Sequence, residues 1–231
     1  MGWKDFSRLL ILASLWGASY LFIRIAVPHL GPFLLMDLRL LIASGALMLY
    51  AFFLRRVPDL KERWKEYLIL GVINSAIPFT LIAAAELHLT SSLAAILNAT
   101  TPMFTAVVAA AWLKEPVTKK IIVGLLLGFI GVVILTGWSP IPLKGETLLS
   151  IGAMLAASLS YAIGGVYAKK KFPDTPPLTM AIGQLSGAAV ALLPAAAFAV
   201  SSARFTLPGI AATLGLAILS TSVAYLFYFR L

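Results

Sequence analysis

The sequence predicts an all-α fold, a polytopic membrane helix bundle with eight transmembrane helices of a ten-helix inverted-repeat architecture. Three observations predict it. First, 61% of the 231 residues are hydrophobic and 12% are charged, too few charges to cover a water-facing surface. Second, uncharged stretches recur at lengths that cross a hydrocarbon core of ~30 Å as helices of ~20 residues. Third, short matches recur at one common offset of about 145 residues. The apolar runs are continuous and rich in Leu and Ala, whereas a transmembrane barrel needs alternating strands. The composition also excludes a disordered chain.

The expected spans cover residues 7–26, 33–54, 67–87, 92–113, 120–138, 147–168, 178–200 and 208–230. Lys4 and Arg8 precede the apolar run of span 1 as in a signal peptide, but Trp16, Tyr20 and Arg24 fit a retained helix better. Span 2 reaches full length once Asp37 and Arg39 are admitted near its end. Pro78 and Pro102 interrupt spans 3 and 4 at similar depth, because the turn joining these spans centres near residues 89–90. Gly124-x-x-x-Gly128 in span 5 and Gly183-x-x-x-Gly187 in span 7 permit close helix contact. Asn98-Ala99-Thr100 has the pattern of a glycosylation site but lies inside span 4, where no glycosylation occurs. Pro116 marks the end of span 4, with Glu115 placed to cap it or to pair with Lys119 or Lys120.

Charge placement sets the orientation. With the N-terminus cytoplasmic, only Arg24, Arg39, Lys144 and Arg204 of the 18 basic residues fall outside, which predicts a multi-pass protein of the plasma (inner) membrane. The net charge of +9 then reflects topology and anionic headgroups. The expected partners are the lipid bilayer and a small-molecule metabolite, and nucleic acid is not expected.

Ala13-Ser14-Leu15 recurs as Ala157-Ser158-Leu159, Pro32 aligns with Pro177, Leu40 with Leu185, Ala43 with Ala188, Arg39 with Gln184, and Gly71 with Gly215. The period contains five spans. Five is odd, so the second copy enters the membrane from the opposite side, the mark of many secondary transporters. The first repeat is expected over residues 1–140. The second, over 145–231, holds counterparts of three spans only, so the sequence reads as a C-terminally truncated form of a ten-span chain.

The run from Ser91 to Ala106, SSLAAILNATTPMFTA, resembles the fourth helix of EamA-type transporters of the drug/metabolite transporter superfamily. Trp112-Leu113-Lys114-Glu115-Pro116 is similar to that family's short basic-acidic link, and Gly124 to Val132 resembles its fifth helix. Trp16-Gly17-Ala18-Ser19-Tyr20 and Asp37-Leu38-Arg39 resemble helices 1 and 2. The resemblance covers residue 9 to the end, closely in the first repeat and loosely in the second. It implies two inverted five-helix repeats and export of small metabolites or amino acids.

The candidate substrate-binding residues are Trp16, Tyr20, Arg39, Asn74, Pro78, Asn98, Pro102, Tyr161 and Gln184. Pro78 and Pro102 each free the carbonyl four residues back, at Asn74 and Asn98, so each site offers a carbonyl beside an amide side chain. In lipid such a site faces protein or a water-filled cavity; the plainer reading is a kinked helix with Asn joining neighbours. Arg39 lies about 9 Å inside span 2. Its role is open between binding a substrate carboxylate, an ion pair with Glu86, and snorkelling to the headgroups. Trp16, Tyr20 and Tyr161 wall a pocket or pack the bundle, and Gln184 is a further cavity candidate.

No cofactor or metal is expected, since the chain has no Cys and its two histidines are His29 and His88. No phosphate loop or paired nucleophile and base appears, so the protein is not expected to be an enzyme. The lack of an acidic residue near any span centre weighs against a proton-coupled mechanism, with Glu86, Asp37 or a missing residue left as carriers. The reading is a secondary, non-ATP transporter working by alternating access. The alternatives are a truncated, non-transporting membrane partner and, more remotely, a membrane-embedded enzyme.

Overall fold

The structure is a computed structural model that describes residues 2–136 and 144–229. Its regular elements there are all helical. We label them α1 (Trp3–Leu30), α2 (Pro32–Phe53), α3 (Trp64–Ala85), α4 (Ser91–Leu113), α5 (Lys119–Thr136), α6 (Gly145–Lys171), α7 (Pro177–Ala199) and α8 (Leu207–Tyr228). Among the described residues seven helices, all but α5, are long and apolar enough to cross a membrane. The eighth expected span, 120–138, maps onto α5, with its last two positions outside the described residues, as is Arg230.

Local chemistry sets the helix ends. α1 runs four residues past the expected end because Pro28 sits in its last turn and does not stop it. Gly31 stops it, at φ 71, a left-handed conformation that suits glycine, and its N–H bonds the Val27 carbonyl. Pro32 then opens α2 at a position that needs no amide hydrogen. Thr90 caps α4 and Thr206 caps α8, each hydroxyl accepting an amide hydrogen from the first turn.

The core lies along α2 and α7, which pack together through Leu40, Ala43 and Leu47 on one side and Leu185, Ala188 and Leu192 on the other. α3 rests on α6 and α7, while α8 rests on α1 and α2. α4 lies against α6. Leu, Ile, Val and Phe side chains exposed around the outside, such as Leu149, Phe198 and Leu207, form the surface a bilayer covers.

Of the two glycine pairs, only one makes the expected close contact. A Cβ on Gly187 would sit 2.7 Å from the Tyr67 carbonyl oxygen, and one on Gly183 would enter the Tyr67 ring. Gly71 on the facing helix approaches the backbone of Gln184 and Ala188. α3 and α7 therefore cross backbone to backbone. Gly124 and Gly128 meet nothing within 4 Å, so the α5 pair makes no such contact.

Three spans are interrupted. α3 widens to a π-helix over Val72–Ala76, where the Ile77 amide reaches back five residues to Val72 just before Pro78. α8 widens over Gly215–Val223 without a proline. There the Thr221 hydroxyl donates to the Leu216 carbonyl at 2.9 Å and the Ser222 hydroxyl to Ala217 at 3.0 Å, each five residues back. α4 breaks at Ala99–Thr100 into Ser91–Asn98 and Thr101–Leu113.

At the end of the bundle carrying most basic residues, Lys169 pairs with Glu115 at 2.6 Å. This replaces the expected pairing of Glu115 with Lys119 or Lys120, because the start of α5 is exposed and the end of α6 comes alongside α4. Arg63 bonds the Lys171 carbonyl and lies over the Phe172 ring, which stacks on Tyr67.

The close crossing predicts that Gly187→Ala destabilises the protein by about 1–3 kcal/mol through overpacking against Tyr67. Gly128→Ala, with open space around it, should be neutral or slightly stabilising. Thermal unfolding of the two variants in detergent, followed by gel filtration, distinguishes them.

Candidate functional site

Arg39 projects from α2 into the middle of the bundle and is 6% exposed. Its Nε donates to Thr221 Oγ1 in the π segment of α8 at 2.9 Å. Its guanidinium carbon stands 3.8 Å above the centre of the Phe79 ring on α3. The hydroxyls of Tyr20 on α1, Tyr161 on α6 and Tyr225 on α8 lie within electrostatic range of the same guanidinium. Phe79 and Tyr161 meet edge to face at 6.2 Å. A desolvated cation over an aromatic ring gains about 2 kcal/mol. That offsets only part of the expense of holding a charge away from water.

Among the described residues no carboxylate lies within ion-pair distance of Arg39. The expected Arg39–Glu86 pair is not formed. Glu86 caps the end of α3, two helical turns or about 10 Å beyond Phe79. Arg39 turns toward the bundle centre instead, so it does not snorkel either.

Gln184, on the facing helix α7, is 3% exposed and bonded at both ends of its amide. Asn74 Nδ2 donates to its Oε1 at 3.1 Å, and its Nε2 donates to the Tyr225 hydroxyl at 2.6 Å. Arg39 thus holds the π segment of α8, and Gln184 holds that of α3.

The Asn98 carbonyl that Pro102 frees is not open. The Thr101 hydroxyl donates to the Asn98 carbonyl at 2.7 Å, filling the position that Pro102 vacates. Ser160 donates to the Ile73 carbonyl at 2.6 Å and Ser158 to Leu97 at 3.3 Å, so two hydroxyls of α6 tie down the interrupted parts of α3 and α4. Pro78 is buried beneath this seam, while Pro102 is exposed. Asn98 is half-buried, and its side chain bonds the Tyr20 hydroxyl.

Trp16 does not join the cluster. It is 42% exposed and lies against Tyr228 with ring centres 5.9 Å apart, on the outside of α1 and α8. The structure thus brings together Tyr20, Arg39, Asn74, Asn98, Tyr161 and Gln184. It adds Phe79, Thr221 and Tyr225, which sequence reasoning missed. One signal was readable: Ser220-Thr221-Ser222 puts three hydroxyls in a row inside an apolar span, and Tyr225 follows Thr221 by one turn.

The profile of the EamA-like transporter family matches the chain twice, over residues 7–137 and 148–231. The chain belongs to the EamA-like transporter family. It is 28% identical over 229 residues to an uncharacterized transporter of Bacillus subtilis, YvbV, covering 96% of this chain and 73% of that one. It is 30% identical over 207 residues to a Salmonella typhimurium protein named "probable amino-acid metabolite efflux pump", covering 87% of this chain and 64% of the relative. A solved crystal structure superposes with a TM-score of 0.74 at 20% identity, covering 98% of this chain and 78% of its own. The EamA-like chain is accordingly a multi-pass membrane protein of a family that moves small molecules.

In this EamA-like bundle Gln184→Leu should lower unfolding stability by about 1–3 kcal/mol, because Asn74 and Tyr225 are left without their shared partner. Tyr225→Phe, which leaves the Asn74 bond intact, should lose less. Denaturation of both variants in detergent tests the order.

Proposed function

We propose that this chain is a secondary transporter that moves small amphipathic carboxylates, amino acids among them, by alternating access, with Arg39 as the anchor for the carboxylate. The observation that carries the reading is a buried guanidinium with aromatic neighbours and no counter-ion among the described residues. Several donors of a guanidinium remain after one hydroxyl contact, and a planar carboxylate matches them in pairs. The ring of Phe79 and the bodies of Tyr20 and Tyr161 suit an apolar part of the same solute.

Alternating access rests on the inverted repeat, with 1–140 and 145–231 as its two copies. Four observations support the repeat. The family profile matches twice. α3 sits on α6 and α7 as α8 sits on α1 and α2. Both α3 and α8 carry a π segment, with Ser75 and Ser220, about 145 residues apart, buried and unpartnered in them. Arg39 and Gln184, related by the same offset, each hold the π segment of the other copy. Two related halves of this kind give two arrangements of similar energy, one open to each face. The charge pattern supports a cytoplasmic N-terminus and an inner-membrane location. The efflux role named for the Salmonella relative supports export.

Proteoliposomes holding the purified protein, loaded with a panel of labelled amino acids and other monocarboxylates, test the reading. At least one carboxylate should leave faster than from empty liposomes, and its methyl ester should not. Arg39→Ala should reduce that flux about 10- to 100-fold, the loss of one charge-assisted contact. Insertion into the bilayer should stay normal. Flux that ignores the carboxylate, or survives Arg39→Ala unchanged, contradicts the assignment.

A further inference from the structure

Glu86 is fully buried, at 0% exposure, in the turn between α3 and α4. Its Oε2 accepts the Ser91 hydroxyl at 3.2 Å, and its Oε1 has no partner among the described residues. The nearest cation does not neutralise it. Arg24 on α1 directs its guanidinium at the backbone carbonyls of Glu86 and, at 3.0 Å, Leu89. Ser91 also lies 3.4 Å from the Tyr20 carbonyl, so the carboxyl sits at a seam where α1, α3 and α4 meet, at the end of the bundle opposite Arg63 and Lys169.

The groups around the carboxyl are few. α1 supplies Arg24 and Tyr20, and α4 supplies Ser91. α6 brings Glu146, which pairs with His88 at 3.6 Å on the exposed side of the turn. α2 brings Asp37, itself buried, and Arg39, which turns to Phe79 and Thr221. A charged carboxylate with an empty oxygen in this setting is unfavourable, whereas a neutral carboxyl fits.

We propose that Glu86 is a proton-binding site that keeps the seam between α1 and the α3–α4 turn shut when occupied and lets it hydrate and part when vacant. Protonation removes the charge, so the turn closes dry over it. Loss of the proton leaves a carboxylate that water must reach, and water enters by separating Arg24 from the carbonyls of the turn. Tyr20 links this seam to the pocket, because its hydroxyl bonds Asn98 and lies within range of Arg39. Proton release at Glu86 therefore opens the Arg39 pocket toward that end of the bundle.

The chain contains no cysteine, so a single introduced thiol reports accessibility without background. Leu89→Cys places it in the seam, where Leu89 is 2% exposed, and Leu87→Cys places a control in the same turn at 41%. Both are labelled with a charged maleimide in lipid nanodiscs, from mildly acidic to mildly alkaline pH. The ratio of the two rates needs no substrate and no known orientation, and the same ratio in Glu86→Gln carries the thiols' own titration. The ratio should rise several-fold with pH. Glu86→Gln, which mimics the protonated form, should hold it low throughout. Ser91→Ala removes the one donor to the carboxylate and should move the rise to higher pH. A flat ratio with Glu86 present, or a rise that persists in Glu86→Gln and so belongs to His88 or Asp37, overturns the proposal. Because no transport is measured, failure here leaves the carboxylate reading of Arg39 untouched.

Discussion

A lipid interior offers no hydrogen-bond partners, and this bundle depends on meeting that constraint at its three interrupted helices. Each interruption is closed from within the protein. The widened part of α8 is closed by its own Thr221 and Ser222, α4 by Thr101 beside Pro102, and α3 by Ser160 from α6. These small hydroxyls let the backbone depart from the regular ladder inside the bundle. They also let the same positions turn side chains inward. Asn74 lies in one π segment and Thr221 in the other, and both reach the helices at the centre.

That centre is symmetrical in plan and unequal in charge. α2 and α7 pack on each other through small and branched residues, and each sends one polar side chain to a π segment, Arg39 to that of α8 and Gln184 to that of α3. Gln184 is neutral and bonded to Asn74 and Tyr225. Arg39 is charged and meets one hydroxyl, one ring and, at 3.9 Å, the Met36 sulfur. The neutral side is held by two protein partners, whereas the charged side gains most from an anion, and the proposal that Arg39 anchors the solute rests on this inequality.

Much of the fold was legible in the residues. The hydrophobic runs located the helices to within a few positions, since a bilayer imposes both length and composition. The alignment of Arg39 with Gln184 pointed to the two side chains that hold the π segments. What stayed hidden depends on helix rotation, which a stretch apolar all round does not encode. Trp16 faced outward although its sequence neighbour Tyr20, one turn away, reaches the cluster. Gly124 and Gly128 had the spacing of a contact pair and no neighbour to use it. Phe79 was indistinguishable from other apolar residues until Arg39 was seen above it. The Arg39–Glu86 pair was plausible by depth alone and failed because the two side chains point to different levels of the bundle.

The proposed alternating access requires that the surroundings of Arg39 reach each face of the membrane in turn. Ala76, 3% exposed in the π segment of α3 and three residues before Phe79, is a place for a single thiol close to Arg39's ring partner. Its labelling by a membrane-impermeant reagent, added to one side and then the other of proteoliposomes of fixed orientation, measures access directly. The account predicts slow labelling from both sides, with a transported carboxylate changing the balance between them. Labelling from one side only, with the carboxylate present or absent, would contradict it.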